Sequence, residues 1–247
     1  MKRKRILALF LAAVSCLLLA VSASAANTPN RKATDFRDFD KSAWYAEAVS
    51  AAVDNGLLYG KSSTIIDPNG DMTRAEMAAI INRSFGCYKT ADISQYKDVS
   101  KSKWYYKDVA LAVQMGTYNG RSSSEMAPDS PITRQEAMTV VARALELDYD
   151  SYSKTDLSAF SDRSEISNWA LPYVRAMVGA DYIHGRGKLL APLDNITRAE
   201  FAQIFHNIIG SYTTVKGIYD KDIKGSVLIR TDEVTLQNMT VDGDLII

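Results

Sequence analysis

The chain has 247 residues, with 29 Lys+Arg against 29 Asp+Glu, 47% hydrophobic and 9% aromatic residues. That length holds one or two ordinary domains, and the composition excludes collagen-like, disordered and disulfide-rich classes. The zero net charge conceals an asymmetry. Lys2, Arg3, Lys4 and Arg5 open the chain and no acid precedes Asp35, so 25 basic groups face 29 acidic ones beyond residue 25. A net charge of −4 speaks against nucleic-acid binding through a broad basic surface.

Residues 1–25 read as a signal peptide. A basic start is followed by an apolar run from Ile6 to Val21 and the small residues Ala23-Ser24-Ala25, which predicts cleavage after Ala25. The run is shorter than the ~20 residues a membrane-spanning helix needs, so no span is expected after cleavage. Lipidation at Cys16 is the alternative. Ala13-Val14-Ser15 is a poor acylation signal, however, and the apolar run continues through Leu17-Leu18-Leu19. Cleavage leaves Cys87 as the only cysteine, read as a small apolar residue rather than a reactive thiol. With two histidines and one cysteine, no metal site and no cofactor are expected.

After a polar linker at 26–34, a unit of about sixty residues recurs three times. Trp44, Gly56, Gly60, Pro68, Thr73, Arg74 and Glu76 return as Trp104, Gly116, Gly120, Pro128, Thr133, Arg134 and Glu136. A third copy carries Trp169, Gly185, Pro192, Thr197, Arg198 and Glu200, with Asp181 in place of Gly56 and Gly116. An aromatic-x-Asp opens each unit, as Phe36-Arg37-Asp38, Tyr96-Lys97-Asp98 and Phe160-Ser161-Asp162. Repeat boundaries are placed at 35–88, 95–148 and 159–212. Within each unit, i, i+3, i+4 stripes predict a first helix burying Val49, Ala52 and Val53, with Val109, Ala112, Val113 and Val174, Met177, Val178 as its copies. Gly56 and Gly116 then suit left-handed C-caps, which Asp181 can also adopt at higher cost. The second helix begins at the Thr and buries Met77, Ile80, Ile81 and Phe85; Ala137, Val140, Val141 and Leu145; Phe201, Ile204, Phe205 and Ile209. One helix pair cannot close a core alone, so the three units are expected to pack together.

The pattern changes beyond residue 212. Val227-Leu228-Ile229 and Val234 to Val241 are β-branched and roughly alternating, and Asp242-Gly243 suits a hairpin turn. Residues 213–247 are expected to be the incomplete start of a β-rich domain, poorly packed by themselves. The fold class is thus mainly α, three helix-loop-helix repeats followed by a short β-rich segment.

Thr73-Arg74-Ala75-Glu76, Thr133-Arg134-Gln135-Glu136 and Thr197-Arg198-Ala199-Glu200 are capping boxes: the threonine takes the third helical N–H and the glutamate reaches back to the cap N–H. The arginine is unexplained by capping, because a cation in the first turn opposes the macrodipole. Beside unpaired helix N–H groups it would form an anion site; a salt bridge to Asp38, Asp98 or Asp162 is the alternative. Trp44, Trp104 and Trp169 at helix starts read first as core anchors, with an exposed face for sugar stacking as the lesser alternative. Lys61, Arg121 and Arg186 follow the loop glycines Gly60, Gly120 and Gly185 and add a second cation to each copy.

Taken together at this spacing, the aromatic-x-Asp, Trp, Gly-x-x-x-Gly, proline and Ile-Thr-Arg-Ala-Glu features resemble the S-layer homology repeat in three tandem copies over residues 35–210. The resemblance implies a pseudo-threefold bundle with grooves between neighbouring repeats. It also implies an exported protein held non-covalently on a Gram-positive-type wall by a pyruvylated secondary cell-wall polysaccharide linked to peptidoglycan. Arg74, Arg134 and Arg198 would meet the polymer's carboxylate, with the three aspartates and three tryptophans lining the same grooves. Two further readings are a wall-active enzyme whose catalytic part is not in these residues, and a self-associating lattice subunit. His184 and His206 do not recur, Asp67-Pro68-Asn69-Gly70-Asp71 is a poor calcium loop, and no hydrolase motif is present, so no catalysis is expected here.

Overall fold

The computed structural model describes residues 31–86 and 88–247. The expected signal peptide, its cleavage after Ala25, Cys16 and Cys87 therefore lie outside the described residues. Among the described residues, six α-helices make three pairs: α1 (Ala46–Asp54) with α2 (Arg74–Phe85), α3 (Tyr106–Gln114) with α4 (Arg134–Ala144), and α5 (Leu171–Gly179) with α6 (Arg198–Ile208). None of the described helices is long and apolar enough to cross a membrane.

Each first helix ends on a left-handed residue, with φ of 68° at Gly56, 71° at Gly116 and 62° at Asp181. The aspartate thus takes the turn that glycine takes elsewhere, at a steric cost glycine avoids. Each second helix starts at its threonine with a complete capping box. Most of each stripe is buried, including Val49, Ala52, Met77, Ile81, Val109, Ala112, Ala137, Val141, Val174, Met177, Phe201 and Ile204. Phe85, Val113, Leu145 and Val178, expected to be buried too, sit at the ends of the stripes and are only half-buried, and Leu145 and Ile209 fall just past the ends of their helices.

The helices pair mainly across repeats. α2 packs on α3, α4 on α5 and α6 on α1, so the last repeat closes onto the first. The same closure runs along the axis in the backbone. Met72 N–H donates to Ile196 C=O, Ile196 to Ile132, and Ile132 to Met72, each at 3.0 Å. These three side chains are fully buried. A repeat removed from this ring would lose both its helix partners and two of its axial hydrogen bonds.

Beyond α6 the chain forms seven short strands in parallel rungs. These are β1 (Ile209–Thr213), β2 (Gly217–Tyr219), β3 (Ile223–Lys224), β4 (Ser226–Ile229), β5 (Val234–Leu236), β6 (Val241–Asp242) and β7 (Leu245–Ile246). β1 pairs with β4 and β4 with β7, while β2 pairs with β5 and β3 with β6, all parallel. The expected hairpin at Asp242-Gly243 is therefore overturned: the chain turns a corner there from β6 into β7. Poor packing is overturned for the β1-β4-β7 rungs, while Val215, Ile218 and Ile247 stay exposed. Val227, Leu228 and Ile229 are buried, Leu228 and Ile246 join the main core, and Arg230 Nη1 donates to Asn55 C=O at 2.5 Å.

Candidate functional site

The motif arginines are the starting point. Each is 2–5% exposed and reaches into the next repeat. Arg74 donates from Nε to Met126 C=O at 2.9 Å, from Nη2 to Asn119 C=O at 2.8 Å, and from Nη1 to Glu136 at 2.9 Å. Arg134 donates to Leu190 C=O at 2.8 Å and pairs with Glu200 at 3.0 Å. Arg198 closes the circle on repeat 1, through Ile66 C=O at 2.8 Å, Tyr59 C=O, and Glu76 at 3.3 Å. The cation that the macrodipole disfavours locally is thus held by the capping-box glutamate of its neighbour. This is the task that capping left unexplained.

Unpaired N–H groups at the second helices, the expected anion-binding element, are absent. Arg74 N–H donates to Ser130 C=O and Ala75 N–H to Pro128 C=O; Arg134 and Gln135 use Asp194 and Pro192; Arg198 and Ala199 use Gly70 and Pro68. The third N–H goes to the cap threonine. Each helix start is thus saturated, its first two N–H groups by the repeat that follows and its third by its own threonine.

The aspartates belong to this scaffold. Asp38 accepts from Ile66 and Asp67 N–H, Asp98 from Met126 and Ala127, and Asp162 from Leu190 and Ala191. Asp67, Ala127 and Ala191 have φ of 56°, 54° and 48°, a strained conformation immediately before the prolines. The carboxylate holds that turn, and the turn presents the proline carbonyl that caps the neighbouring helix. The expected placement of Asp38, Asp98 and Asp162 in the groove walls and the alternative salt bridge to the arginines are both corrected on this point.

Three grooves of about 420, 380 and 340 Å³ lie between repeats, one at the loop of each. In the first, Gly60, Lys61, Glu76 and Arg83 of repeat 1 meet Trp104 of repeat 2 and Arg198 of repeat 3. Gly120, Arg121, Glu136 and Arg143 meet Trp169 and Arg74 in the second, and Gly185, Arg186, Glu200 and Asn207 meet Trp44 and Arg134 in the third. Every groove needs all three repeats. The core-anchor reading of the tryptophans is overturned, since Trp44, Trp104 and Trp169 are 52–62% exposed. The following residues, Tyr45, Tyr105 and Ala170, are the ones buried beneath. Gly60, Gly120 and Gly185 are fixed by close approach: a Cβ would stand 2.4–2.7 Å from the ring of Phe36, Tyr96 or Phe160 behind the loop.

Sequence reasoning missed Arg83 and Arg143. Their signal was available, because they recur at the same offset as the motif, and Asn207 stands in their place in repeat 3. Arg83 lies 3.8 Å over the Tyr59 ring and donates to Leu57 C=O. The charge lining therefore differs between grooves. Lys61, Arg83 and Arg198 against Glu76 leave an excess of two positive charges in the first, as do Arg74, Arg121 and Arg143 against Glu136 in the second. The third has only Arg134 and Arg186 against Glu200, and Arg186 is spent on Glu200 at 2.6 and 2.9 Å and on Asp194 at 2.8 Å. Burial raises the Glu76 and Glu200 carboxyls, but Arg198 with Lys61, and Arg186 with Arg134, outweigh it and leave both below their ordinary value. Among the described residues, no cluster of His, Cys, Asp and Glu could hold a metal ion.

A repeated helical ring with three inter-repeat grooves of this kind defines a class, a closed domain built from tandem repeats. The S-layer homology domain family model matches residues 35–78, 95–138 and 159–202, and the chain belongs to that family. It is 35% identical over 205 residues to the surface-layer 125 kDa protein of Lysinibacillus sphaericus, covering 81% of this chain and 17% of that one. It is 24% identical to an endoglucanase of Bacillus sp. (strain KSM-635), covering 98% of this chain and 26% of the enzyme. It is 27% identical to the S-layer protein sap of Bacillus anthracis, covering 60% of this chain and 17% of that protein. The chain thus spans about a sixth to a quarter of the length of these relatives.

Proposed function

We propose that residues 35–212 anchor an exported protein non-covalently to the bacterial cell wall by binding an anionic secondary wall polysaccharide in the inter-repeat grooves. The observation that carries this reading is the threefold recurrence of one lining: an exposed tryptophan face, cations on the floor and a polar loop. An aromatic face suits a sugar ring and guanidinium donors suit a carboxylate, such as that of a pyruvate ketal. Buried as they are, Arg74, Arg134 and Arg198 would act from the groove floor, with Lys61, Arg121, Arg83 and Arg143 at the rim. The first and second grooves would take the anion, and the third would hold it least well. Relatives named both as surface-layer proteins and as glycan-degrading enzymes fit a non-catalytic module shared among surface proteins.

Sedimentation with purified wall sacculi tests the reading. The protein should pellet with intact sacculi and stay in solution with sacculi stripped of secondary polymer. Equal pelleting with both would overturn it.

A further inference from the structure

A fourth cleft, of about 520 Å³, breaks the threefold pattern and lies away from the grooves. It is bounded by the segment 153–158, the turn at Arg163 and α5, and it is lined by Lys154, Arg163 and Arg175. In repeats 1 and 2 the positions of Arg163 are Phe39 and Val99, and those of Arg175 are Ser50 and Ala110. Val99 and Ala110 are buried there. Repeat 3 has two guanidinium groups where repeat 2 buries apolar side chains and repeat 1 has the half-buried Phe39 and Ser50.

The cleft is built rather than incidental. Gly179 lets the preceding segment lie flat on α5, since a Cβ would come within 2.5 Å of Thr155 and Tyr152. Arg175 Nε is buried and has no hydrogen-bond partner, a donor left without its usual compensation. The one carboxylate in the lining, Asp156, is occupied by Ser158 N–H at 2.8 Å and Ser158 Oγ at 2.7 Å. Three cations against one committed carboxylate leave an excess of two positive charges beside hydroxyls of Ser153 and Thr155.

We propose that this cleft binds a phosphate group, with Arg175 and Arg163 donating to its oxygens and Lys154 as a third cation. Paired planar forks suit a tetrahedral oxyanion with several acceptor oxygens better than a single carboxylate. Free phosphate and a phosphodiester within a wall polymer share this chemistry. The site stands independently of the grooves, so neither reading depends on the other.

The test is nitrogen NMR of the arginine Nε–H groups in the full chain. Inorganic phosphate and dimethyl phosphate are titrated separately, against sodium chloride at matched ionic strength. Arg175 Nε–H should shift saturably with phosphate and not with chloride. Arg163→Gln and Lys154→Gln, both at exposed residues, should keep the melting temperature and weaken binding about tenfold each. A response to dimethyl phosphate as strong as to inorganic phosphate would support a diester, and a response to inorganic phosphate alone would support the free ion. An identical shift with chloride, or unchanged affinity in both variants, would overturn the site.

Discussion

Arg198 shows how one side chain serves both fold and groove. Its guanidinium is buried, holds two carbonyls of repeat 1 and pairs with Glu76. Removing one partner of a buried pair costs on the order of 3–5 kcal/mol, because the other charge is left uncompensated. Arg198→Ala should therefore lower the melting temperature markedly, and a calorimetric scan matching the unsubstituted protein would contradict that. Arg121 is the contrasting case, 40% exposed in its side chain and 3.9 Å from Glu136. Arg121→Ala should leave the melting temperature unchanged and weaken polymer binding about tenfold, for one lost charge-assisted bond. The sequence made Arg74, Arg134 and Arg198 conspicuous without showing their partners, because those partners stand 45–139 residues away. Tryptophan direction was equally illegible: Trp44 and Tyr45 are neighbours in sequence, and only packing decides which one turns inward.

At the scale of elements, the second helices were the most legible parts, since apolar period and capping box agree at each of them. Their saturated N-termini were not, because Pro68, Pro128 and Pro192 reach them from other repeats. The capping glutamates also carry a pH dependence. Glu76 and Glu200 have folded-state values below the ordinary 4.5, so their stabilisation is complete above that pH and is lost as pH falls through the lower folded value. The urea midpoint should drop as pH falls from about 5 to about 3, and a flat midpoint over that range would refute the assignment. The β-rungs illustrate a different limit. Alternation marks a strand but not the direction of its partner, so β4 and β5 were readable as strands while their parallel pairing was not. Because Val227 and Leu228 are buried and Arg230 ties to Asn55, deleting residues 214–247 should lower the melting temperature, not improve solubility. An unchanged scan would show that the rungs contribute nothing to the repeats.

The whole molecule is a closed ring, and that closure explains why function cannot be assigned to a single repeat. Each groove draws its loop, its tryptophan and its buried arginine from three different repeats. The internal repeat showed that such units must pack together, but not that they close in this order. Groove differences were partly legible: Asp181 flagged repeat 3, yet the structure locates the difference in Asn207 and in the self-paired Arg186. The central claim is that the grooves recognise a wall polymer by its negative charge. Isothermal titration of the full chain with a purified pyruvylated wall polysaccharide, before and after mild acid removal of the ketals, tests that claim most directly. The account predicts saturable binding to the intact polymer, lost on ketal removal and weakened about tenfold by Arg121→Ala. Equal affinity for the two polymers, unaffected by that substitution, would contradict it.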